Sequence, residues 1–491
     1  MTSRVERYRL APDVTISRIV TGLWQVADME RHGGPLDLDA SAAAMQAYCD
    51  AGLTSFDMAD HYGSAEDIAG RWRQRYAERA GDVQLLTKWV PSAFRGSAAV
   101  APSDVRIAVQ RSLDRLHTDK IDLLQYHAWR FDDARWLEHL WALEELRREG
   151  CIRHIGLTNF DTAHLRIAVR SGVHVLSNQV CYSLIDHRAQ RRMSEFCAAH
   201  GISLLAYGTL AGGFVSPRWL NQPAPDWERL PTWSALKYGR FIRSAGGWNV
   251  FQGILRAVHT VAERHGVSMP NVACRYVLDQ PGVAGVIVGA RLGETEHIAD
   301  NLRVFALTLD AMDRATLADA VAALAPIPGD CGDEYRRPPY LTASGDLSHH
   351  VSEFPAPFEV KPNVEGRLVA LSGTTWEELA GFGRAIRVGK RIYVSGTTAT
   401  HREKAIAAGD PIAQTHFVID KVAAALRSLG ARLEDVVRTR LFVRDLTHWE
   451  AVARVHGERF ADIRPANTLV QSGLVGNEYL VEMEAEAVVA D

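Results

Sequence analysis

The sequence has no large excess of charge and no long apolar run. Its 491 residues include 55 Lys and Arg and 59 Asp and Glu, which gives a formal net charge of -4. Because proteins bind polyanions through positive surfaces, this balance argues against a nucleic-acid partner. No apolar stretch approaches the ~20 residues that cross a bilayer, and residues 1–7 lack the pattern of a signal peptide. We therefore expect a soluble cytoplasmic protein that binds neither nucleic acid nor a membrane.

Cysteine is scarce, and a glycine motif is missing. The six cysteines are far apart and form no Cys-x-x-Cys pair: Cys49, Cys151, Cys181, Cys197, Cys274 and Cys331. This spacing is typical neither of a zinc site nor of a disulfide framework, so we expect reduced thiols and no bound metal. No G-x-G-x-x-G turn follows the first strand-like run, which disfavours a doubly wound sheet that binds a dinucleotide.

The sequence does contain enough apolar residues for more than one core. Hydrophobic residues make up 47% and charged residues 23%, as in ordinary globular proteins. A chain of this length is too long for one ordinary domain, so we expect two or three.

Short apolar runs alternate with longer amphipathic segments in the first two thirds of the chain. One such segment, residues 103–116, places its apolar side chains on a single helical stripe after a Ser-Asp start. The eight apolar runs are Arg18–Gly22, Leu53–Asp57, Val83–Trp89, Ile121–His127, Ile152–Thr158, Val175–Cys181, Ser203–Tyr207 and Val283–Gly289. Buried strands separated by helices predict an α/β fold, a (β/α)8 TIM barrel, over residues 1–325.

Three further stretches depart from this alternation. Residues 326–365 lose periodicity and are rich in proline, which predicts a stiff linker. Because this stretch retains Tyr335, Tyr340 and Phe354, we expect it to lie along a domain surface. Over residues 366–491, strand-like runs and two amphipathic helices predict a second, α+β domain. Within the barrel half, the tryptophan-rich segment 210–253 should form either a substrate lid or a small subdomain packed on the barrel.

Chemically active side chains end three successive predicted strands. Asp57 ends the second, Lys88 the third and His127 the fourth, and Tyr62 follows the second strand. Catalytic groups of barrel enzymes cluster at these strand ends. A phenol titrates near pH ~10, so it donates a proton at neutral pH when a cation stabilises its anion. Lys88, balanced by Asp57, can supply that cation, while His127 can hold a carbonyl oxygen.

Each of these residues also has a plainer interpretation. An Asp after Phe is often a helix cap, a lysine at a strand end is usually solvated, and a single histidine is usually structural. Their occurrence at three successive strand ends favours the catalytic interpretation.

Four motifs, in this order, resemble those of the aldo/keto reductases: Phe56-Asp57-Met58-Ala59 with Tyr62-Gly63, Leu85-Leu86-Thr87-Lys88, Ile121-Asp122-Leu123-Leu124-Gln125-Tyr126-His127, and Ile152-Arg153-His154-Ile155-Gly156-Leu157-Thr158-Asn159-Phe160. The resemblance covers residues 10–325 and implies a (β/α)8 barrel that transfers hydride from NADPH to a carbonyl. Tyr62 is then the general acid, and His127 orients the carbonyl oxygen. Lys88 and Asp57 tune the acidity of the phenol.

The same resemblance implies a cofactor site. Thr158 and Asn159 match the positions that hold the nicotinamide carboxamide, with threonine in place of the commoner serine. Gln179 matches a glutamine that contacts the same amide, and Tyr207 matches the ring that stacks on the nicotinamide. The residues implied for the phosphate and adenine end are Gly289, Arg291 and Asn301. Arg291 is the implied partner of a 2′-phosphate and favours NADPH over NADH. Trp24 and Trp89 are either walls of the substrate pocket or core residues.

The C-terminal motifs resemble the RidA/YjgF family of imine deaminases: Arg384–Thr397, Glu434–Val437 and Leu480–Ala485. The resemblance covers residues 366–491 and implies a chorismate-mutase-like α+β fold that forms trimers with clefts between subunits. Active members hold a substrate carboxylate with an arginine where this sequence has Asn467. Asparagine cannot form a bidentate charged pair, which disfavours deamination of amino-acid-derived imines. Glu482 matches the family's acidic residue that positions water.

Three functional hypotheses remain open. The first is an NADPH-dependent reductase of a small-molecule carbonyl or a derived imine, assembled as a homotrimer by a ligand-binding C-terminal domain. The second adds imine or enamine deamination by that domain. The third is an NADPH-binding sensor without turnover, which the four filled tetrad positions disfavour.

Overall fold

The computed structural model describes residues 4–26, 36–91, 100–294, 296–336 and 355–490. The elements of the first half are β1 (Arg7–Ala11), β2 (Val14–Ser17), β3 (Ile19–Gly22), α1 (Leu38–Asp50), β4 (Ser55–Asp57), α2 (Ala65–Arg75), β5 (Gln84–Trp89), α3 (Pro102–Leu116), β6 (Ile121–Tyr126), α4 (Arg135–Glu149), β7 (Ile152–Thr158), α5 (Thr162–Arg170), β8 (Val175–Cys181), α6 (Arg192–Ala199), β9 (Ser203–Tyr207), α7 (Trp233–Ser244), α8 (Trp248–His265), α9 (Met269–Leu278), β10 (Val283–Gly289), α10 (Ile298–Arg303) and α11 (Ala311–Ala322).

Strands β3 to β10 close into a parallel barrel in the order β10-β3-β4-β5-β6-β7-β8-β9. They coincide with the eight apolar runs, so the prediction of a (β/α)8 barrel is confirmed. The runs are nearly continuous in apolar residues because parallel strands in a barrel are buried on both faces.

The interior of the barrel changes from apolar at one end to polar at the other. Hairpin β1–β2 closes the apolar end, where Ile16 packs with Leu86 of β5 and Leu123 of β6. Alternate residues of a strand face opposite sides, so Lys88 and Gln125, two positions further along, also point inward. They lie at the carboxyl ends of the strands, where a barrel carries its active site.

The tryptophan-rich segment between β9 and α8 is ordered around its own small core. Phe214 contacts Trp219, Trp227 and Trp248 with ring centroids 5.0, 6.1 and 6.1 Å away. Helix α7 lies in this segment, with Thr232 capping it by accepting the backbone N–H of Ala235. The segment is therefore a subdomain packed on the barrel, and α7 brings side chains to the barrel mouth.

The second half contains β11 (Glu359–Pro362), β12 (Leu368–Leu371), α12 (Thr375–Ala380), β13 (Ala385–Val388), β14 (Arg391–Thr398), β15 (Thr400–His401), β16 (Lys404–Ala405), α13 (Pro411–Ser428), β17 (Val436–Val443), α14 (Trp449–Phe460), β18 (Ala466–Gln471) and β19 (Val481–Val488). Seven strands form one sheet in the order β11-β12-β13-β14-β19-β17-β18. Met483 and Ala485 of β19 are buried on the face that α13 covers. The opposite face carries Glu482, Glu484 and Glu486 and is open. The predicted α+β domain is confirmed.

The described ends of the stretch expected to be a linker pack with the two domains. Residues 327–336 pack on the mouth of the barrel, where Arg336 donates to the carbonyl oxygen of Ala128 at 2.8 Å. Strand β11 pairs with β12 and so belongs to the C-terminal sheet. Residues 337–354 of the expected linker lie outside the described residues. Periodicity missed these contacts because short segments that pack through a few side chains carry no repeat.

Among the described residues, no helix is both long and apolar enough to span a membrane. Within the same ranges, no three His, Cys, Asp or Glu side chains are grouped so that they could hold a metal ion.

Helix α13 joins the two domains by packing on α5 of the barrel. Asp161 caps α5, and its carboxylate lies 2.7 Å from Nδ1 of His164. Nε2 of His164 lies 2.8 Å from Oδ2 of Asp420 in α13. Arg459 of α14 donates to the other oxygen of Asp420 at 2.7 Å. A buried histidine thus bridges two carboxylates from different domains.

Other ion pairs extend this interface along the barrel surface. They join Glu138 to His401 and Arg402, Asp410 to Arg166 and Arg170, Asp132 to Arg427, and Arg192 to Glu458. The two domains therefore meet through a broad, mostly charged surface.

We expect the stability of the wild-type protein to fall as pH rises above about 6.5, the ordinary pKa of histidine. Burial opposes protonation of His164, but Asp161 and Asp420 outweigh it and raise the pKa of His164. A raised pKa in the folded state stabilises the protein fully below the unfolded value, and this contribution disappears as pH rises through the folded value. Thermal unfolding midpoints measured from pH 6 to 9 should fall for the wild type and change less for His164→Gln.

The control is His174→Gln, which removes a largely exposed histidine paired with Glu144. This variant should keep the wild-type dependence on pH. Identical pH profiles for His164→Gln and the wild type would contradict a charged bridge at the interface.

Candidate active site

A buried ion pair joins the ends of strands β4 and β5. Nζ of Lys88 donates to Oδ2 of Asp57 at 2.6 Å and to the carbonyl oxygen of Met58 at 3.0 Å. Both side chains are almost completely shielded from solvent. Burial lowers the pKa of Lys88 below its ordinary value, and the charge of Asp57 opposes that shift. The pair places a cation at the centre of the barrel mouth.

Two glutamines hold the second oxygen of Asp57. Gln125 and Gln179 donate to Oδ1 at 2.9 and 2.7 Å, and Gln179 also donates to Oε1 of Gln125 at 2.7 Å. Gly156 leaves room for this layer, because a Cβ there would lie 2.8 Å from Oγ of Ser177 and 3.0 Å from Cγ of Gln125. The carboxylate is therefore fixed on both of its oxygens.

Tyr62 lies over this ion pair. Nζ of Lys88 is 5.0 Å from the centroid of the Tyr62 ring. The ring of Trp24 meets Tyr62 edge-on with centroids 4.8 Å apart, and His61 lies 4.9 Å away. The structure thus brings the predicted phenol, ammonium and carboxylate together and places Trp24 beside the phenol.

His127, the residue after β6, faces the same space. Its ring contacts Trp129 and Tyr335 with centroids 4.6 and 5.0 Å away. Its Nε2 is buried and has no hydrogen-bond partner in the described part of the chain. Burial and, secondarily, nearby cations hold the pKa of His127 well below its ordinary value. A neutral imidazole with an unused nitrogen can donate a hydrogen bond to a ligand oxygen.

The residues expected to contact a nicotinamide lie next to this cluster. Thr158 ends β7, and its buried Oγ1 has no partner among the described residues. Asn159 follows in a left-handed conformation with φ 55°. The hydroxyl of Tyr207 donates to Oδ1 of Asn159 at 2.7 Å. Gln179 lies in the layer below, bonded to Asp57.

The residues expected at the phosphate and adenine end lie on the rim of the barrel. Gly289 ends β10 and is exposed beside Gln25. Arg291 is also exposed, and its Nε donates to Oε1 of Gln25 at 3.3 Å. Asn301 lies in α10 and is half-buried. These residues can be reached from solvent, as a dinucleotide phosphate requires.

Trp89 lies away from the site. Its ring contacts Tyr126 and His139 with centroids 5.4 and 5.3 Å away, between the strands and helix α4. Because Lys88 points into the barrel, its neighbour on the strand must point outward. Of the two roles expected for Trp89, pocket wall or core residue, these contacts support the core role. Trp89 is not one of the residues of the candidate site.

Sequence reasoning missed a set of residues that cover one side of the mouth. The hydroxyl of Tyr207 also lies 3.1 Å from Oε1 of Glu334, and Glu334 forms an ion pair with Arg188 at 2.8 Å. Lys237 of α7 donates to the hydroxyl of Tyr335 at 2.8 Å. The only signal was the charged and aromatic content of 333–336 within a stretch that otherwise looked like a linker.

In the C-terminal domain, the two candidate residues are not brought together. Asn467 lies beside Thr439 on the neighbouring strand, and its side-chain amide donates to the Thr439 hydroxyl at 2.9 Å. Both residues are on the face of the sheet that helix α14 covers. Glu482 points to the open face, next to Gly396. Burial and the charge of Glu484 raise the pKa of Glu482. Within one chain these side chains cannot act on the same small molecule.

We expect Gly156→Ala to destabilise the barrel. The new methyl group would lie too close to Ser177 and Gln125, and it would push Gln125 away from Asp57. Crowding of a packed interior costs about 1–3 kcal/mol. The loss should appear as a lower midpoint of unfolding in urea, followed by tryptophan fluorescence.

Gly253→Ala is the matched control. Gly253 lies in helix α8 and has no atom within 4 Å of an added Cβ. Alanine is the better helix former, so this change should leave stability equal or raise it by about 0.5–1 kcal/mol. Equal midpoints for the two variants would show that Gly156 is not needed for the packing of Gln125.

Two family models match the chain. The model of the aldo/keto reductase family matches residues 18–322. The model described as endoribonuclease L-PSP matches residues 374–489, the part that resembles RidA/YjgF. Both matches agree with the division of the molecule into a barrel and an α+β domain.

Three relatives illustrate these similarities. Flagellar radial spoke protein 5 of Chlamydomonas reinhardtii is 26% identical over 304 residues, which are 50% of this chain and 58% of that protein. The aldo-keto reductase YhdN of Bacillus subtilis is 26% identical over 296 residues, 58% of this chain and 85% of that protein. An uncharacterized protein of Streptomyces coelicolor is 38% identical over 117 residues, 24% of this chain and 87% of that protein. The chain spans less than two thirds of the first of these relatives.

Three findings indicate the same family. They are the closed barrel, the buried ion pair at its mouth, and the family model that matches more than half of the sequence. The chain belongs to the aldo/keto reductase family and carries a second, RidA-type domain.

Proposed function

We propose that the protein reduces a carbonyl group of a small molecule, or an imine derived from it, with NADPH as hydride donor. The observation that carries this proposal is the position of Tyr62 above the ammonium of Lys88, which Asp57 holds at 2.6 Å. A phenol beside a buried cation is suited to proton donation because the cation stabilises the phenolate left behind.

Each member of the tetrad has one task in this reaction. Tyr62 delivers a proton to the carbonyl oxygen as hydride reaches the carbon. Lys88 stabilises the phenolate, and Asp57 keeps Lys88 in place. His127, neutral because it is buried, donates a hydrogen bond from Nε2 to the same oxygen and orients it.

The residues next to the tetrad fit a nicotinamide ring. The buried hydroxyl of Thr158, which has no partner in the described ranges, can bond a carboxamide, and Asn159 adjoins it. Tyr207 is half-buried beside Asn159, where its ring can stack on the nicotinamide. The cofactor supplies hydride when bound. Arg291 is the exposed cation on the rim that supports a 2′-phosphate and hence NADPH.

For the C-terminal domain we propose assembly of the chain into a homotrimer and binding of a ligand between subunits. The open face of its sheet supports this role, because Tyr393 and Val470 are exposed there beside the acidic side chains of β19. Deamination by this domain is less well supported, since Asn467 is turned towards Thr439 and Glu482 lies on the other face.

Tyr62→Phe should lower kcat/KM for an aldehyde by about 100- to 10,000-fold, the usual contribution of a general acid. The ring and its contact with Trp24 remain, so cofactor affinity should stay within a few fold. The measurement follows NADPH oxidation at 340 nm with 4-nitrobenzaldehyde, and repeating it with NADH tests the cofactor preference.

Tyr76→Phe, a change at the end of helix α2, provides the matched control and should retain wild-type activity. If Tyr62→Phe reduced the aldehyde at the wild-type rate, another group would have to supply the proton. If the wild type bound NADPH but reduced no carbonyl, the sensor hypothesis would replace the reductase hypothesis.

Light scattering of the full chain should give three times the mass of one chain. Val470→Lys should reduce that mass to one chain, because it places a charge on the open face of the sheet, where the subunits would meet. Leu379→Lys, on the exposed side of helix α12, should leave the trimer intact. A wild-type protein of single-chain mass would rule out trimeric assembly.

A further inference from the structure

Lys237 is a buried cation at the mouth of the barrel. It comes from helix α7 of the tryptophan-rich subdomain and is 8% exposed. Its Nζ lies over three tyrosine rings, 4.7 Å from the centroid of Tyr207, 5.6 Å from that of Tyr238 and 4.6 Å from that of Tyr335. An ammonium surrounded by aromatic rings is held in place and shielded from water.

The hydrogen bonds of Lys237 do not saturate its ammonium group. It donates to the hydroxyl of Tyr335 at 2.8 Å and, at the long distance of 3.4 Å, to that of Tyr207. An ammonium has three hydrogens to donate. Within the described residues, Lys237 makes no ion pair with an aspartate or glutamate. A buried ammonium that keeps a hydrogen to donate and contacts no carboxylate can accept a ligand of opposite charge.

The charge of Glu334 acts on Lys237, but both oxygens of this carboxylate lie against other groups. Its Oε1 is 3.1 Å from the hydroxyl of Tyr207, and its Oε2 pairs with Arg188. Arg188 in turn pairs with Asp186 at 2.6 Å. Burial alone would lower the pKa of Lys237, but Tyr335 and Glu334 outweigh it and raise that pKa above its ordinary value. Lys237 is therefore charged at neutral pH.

Lys237 lies close to the group that would hold the reacting carbonyl. Both groups contact the ring of Tyr335: Nζ of Lys237 lies 4.6 Å from its centroid, and the ring of His127 meets it edge-on with centroids 5.0 Å apart. His127 has a buried Nε2 without a partner in the described part of the chain, so two donors border the same ring. A substrate that uses both places its carbonyl oxygen at His127 and a negatively charged group at Lys237.

We propose that Lys237, positioned by Tyr335, binds an oxyanion of the substrate, and that the preferred substrates are carbonyl compounds that also carry a carboxylate. This inference rests on the proposed reductase function. The carbonyl oxygen lies between Tyr62 and His127, and the carboxylate takes the remaining donor of Lys237. The ring of Tyr335 contacts both Lys237 and His127 and so sets the separation of the two donors.

The test compares two aldehydes that differ in charge, 4-carboxybenzaldehyde and methyl 4-formylbenzoate. Charge-assisted hydrogen bonds contribute enough to change affinity about 10- to 100-fold. The wild type should therefore reduce the acid with a kcat/KM at least about tenfold above that of the ester. Lys237→Met should remove this preference by raising KM for the acid. We expect kcat for the acid and kcat/KM for the ester to change little.

Lys404→Met is the matched control. Lys404 also lies over an aromatic ring, 4.2 Å from the centroid of Trp141, but it is at the domain interface. This variant should keep the wild-type preference for the acid. If the wild type reduced the ester as well as the acid, the proposal would be overturned, whatever the variants did. If Lys237→Met lowered kcat/KM for the acid and the ester by the same factor, the proposal would also be overturned. Lys237 would then serve only to hold the 327–336 segment.

Two further measurements keep the proposal testable when a variant misfolds or no aldehyde is reduced. Tyr335→Phe keeps the ring and Lys237 but removes the bond that positions the ammonium, so it should weaken the acid preference in part. The binding of terephthalate can be measured through tryptophan fluorescence and does not depend on turnover. It should be at least about tenfold weaker in Lys237→Met. Equal binding to both proteins would overturn the anion site even if the reductase function itself had failed.

Discussion

The ion pair between Asp57 and Lys88 is the constraint on which the mouth of the barrel depends. Neither charge can be buried without the other, and breaking such a pair costs about 3–5 kcal/mol. The second oxygen of Asp57 also orders Gln125 and Gln179, so one carboxylate connects four strands of the barrel. The position of Tyr62 follows from this arrangement, because its ring rests over the ammonium.

The sequence predicted the parts of the protein whose structure follows from local periodicity. The barrel strands were recognisable because each is buried on both faces, and Asp57, Lys88 and His127 stood out because they end successive strands. Strand alternation would also have separated Trp89 from the site, because adjacent residues of one strand cannot both face the barrel interior. That these side chains lie close together could be predicted because barrel topology gathers strand ends at one edge.

Other features depend on contacts that no local pattern encodes. Lys237 and Tyr335 are almost a hundred residues apart and meet only because a helix of the inserted subdomain and the 327–336 segment cross the same mouth. The placement of Asn467 and Glu482 on opposite faces depends on the registers of β17, β18 and β19. A register shift of one residue would have reversed one of those faces, so composition alone could not decide the matter.

The 327–336 segment has a consequence for how the two domains came to share one chain. The peptide that leaves the barrel for the RidA-type domain first supplies Glu334 and Tyr335 to Tyr207 and Lys237. A gene fusion that replaced this peptide with an unrelated spacer would have removed one wall of the candidate active site. Residues 327–336 are therefore more than a spacer, and an exchange of the second domain that keeps this wall has to keep the chain up to Arg336 rather than up to the last barrel helix.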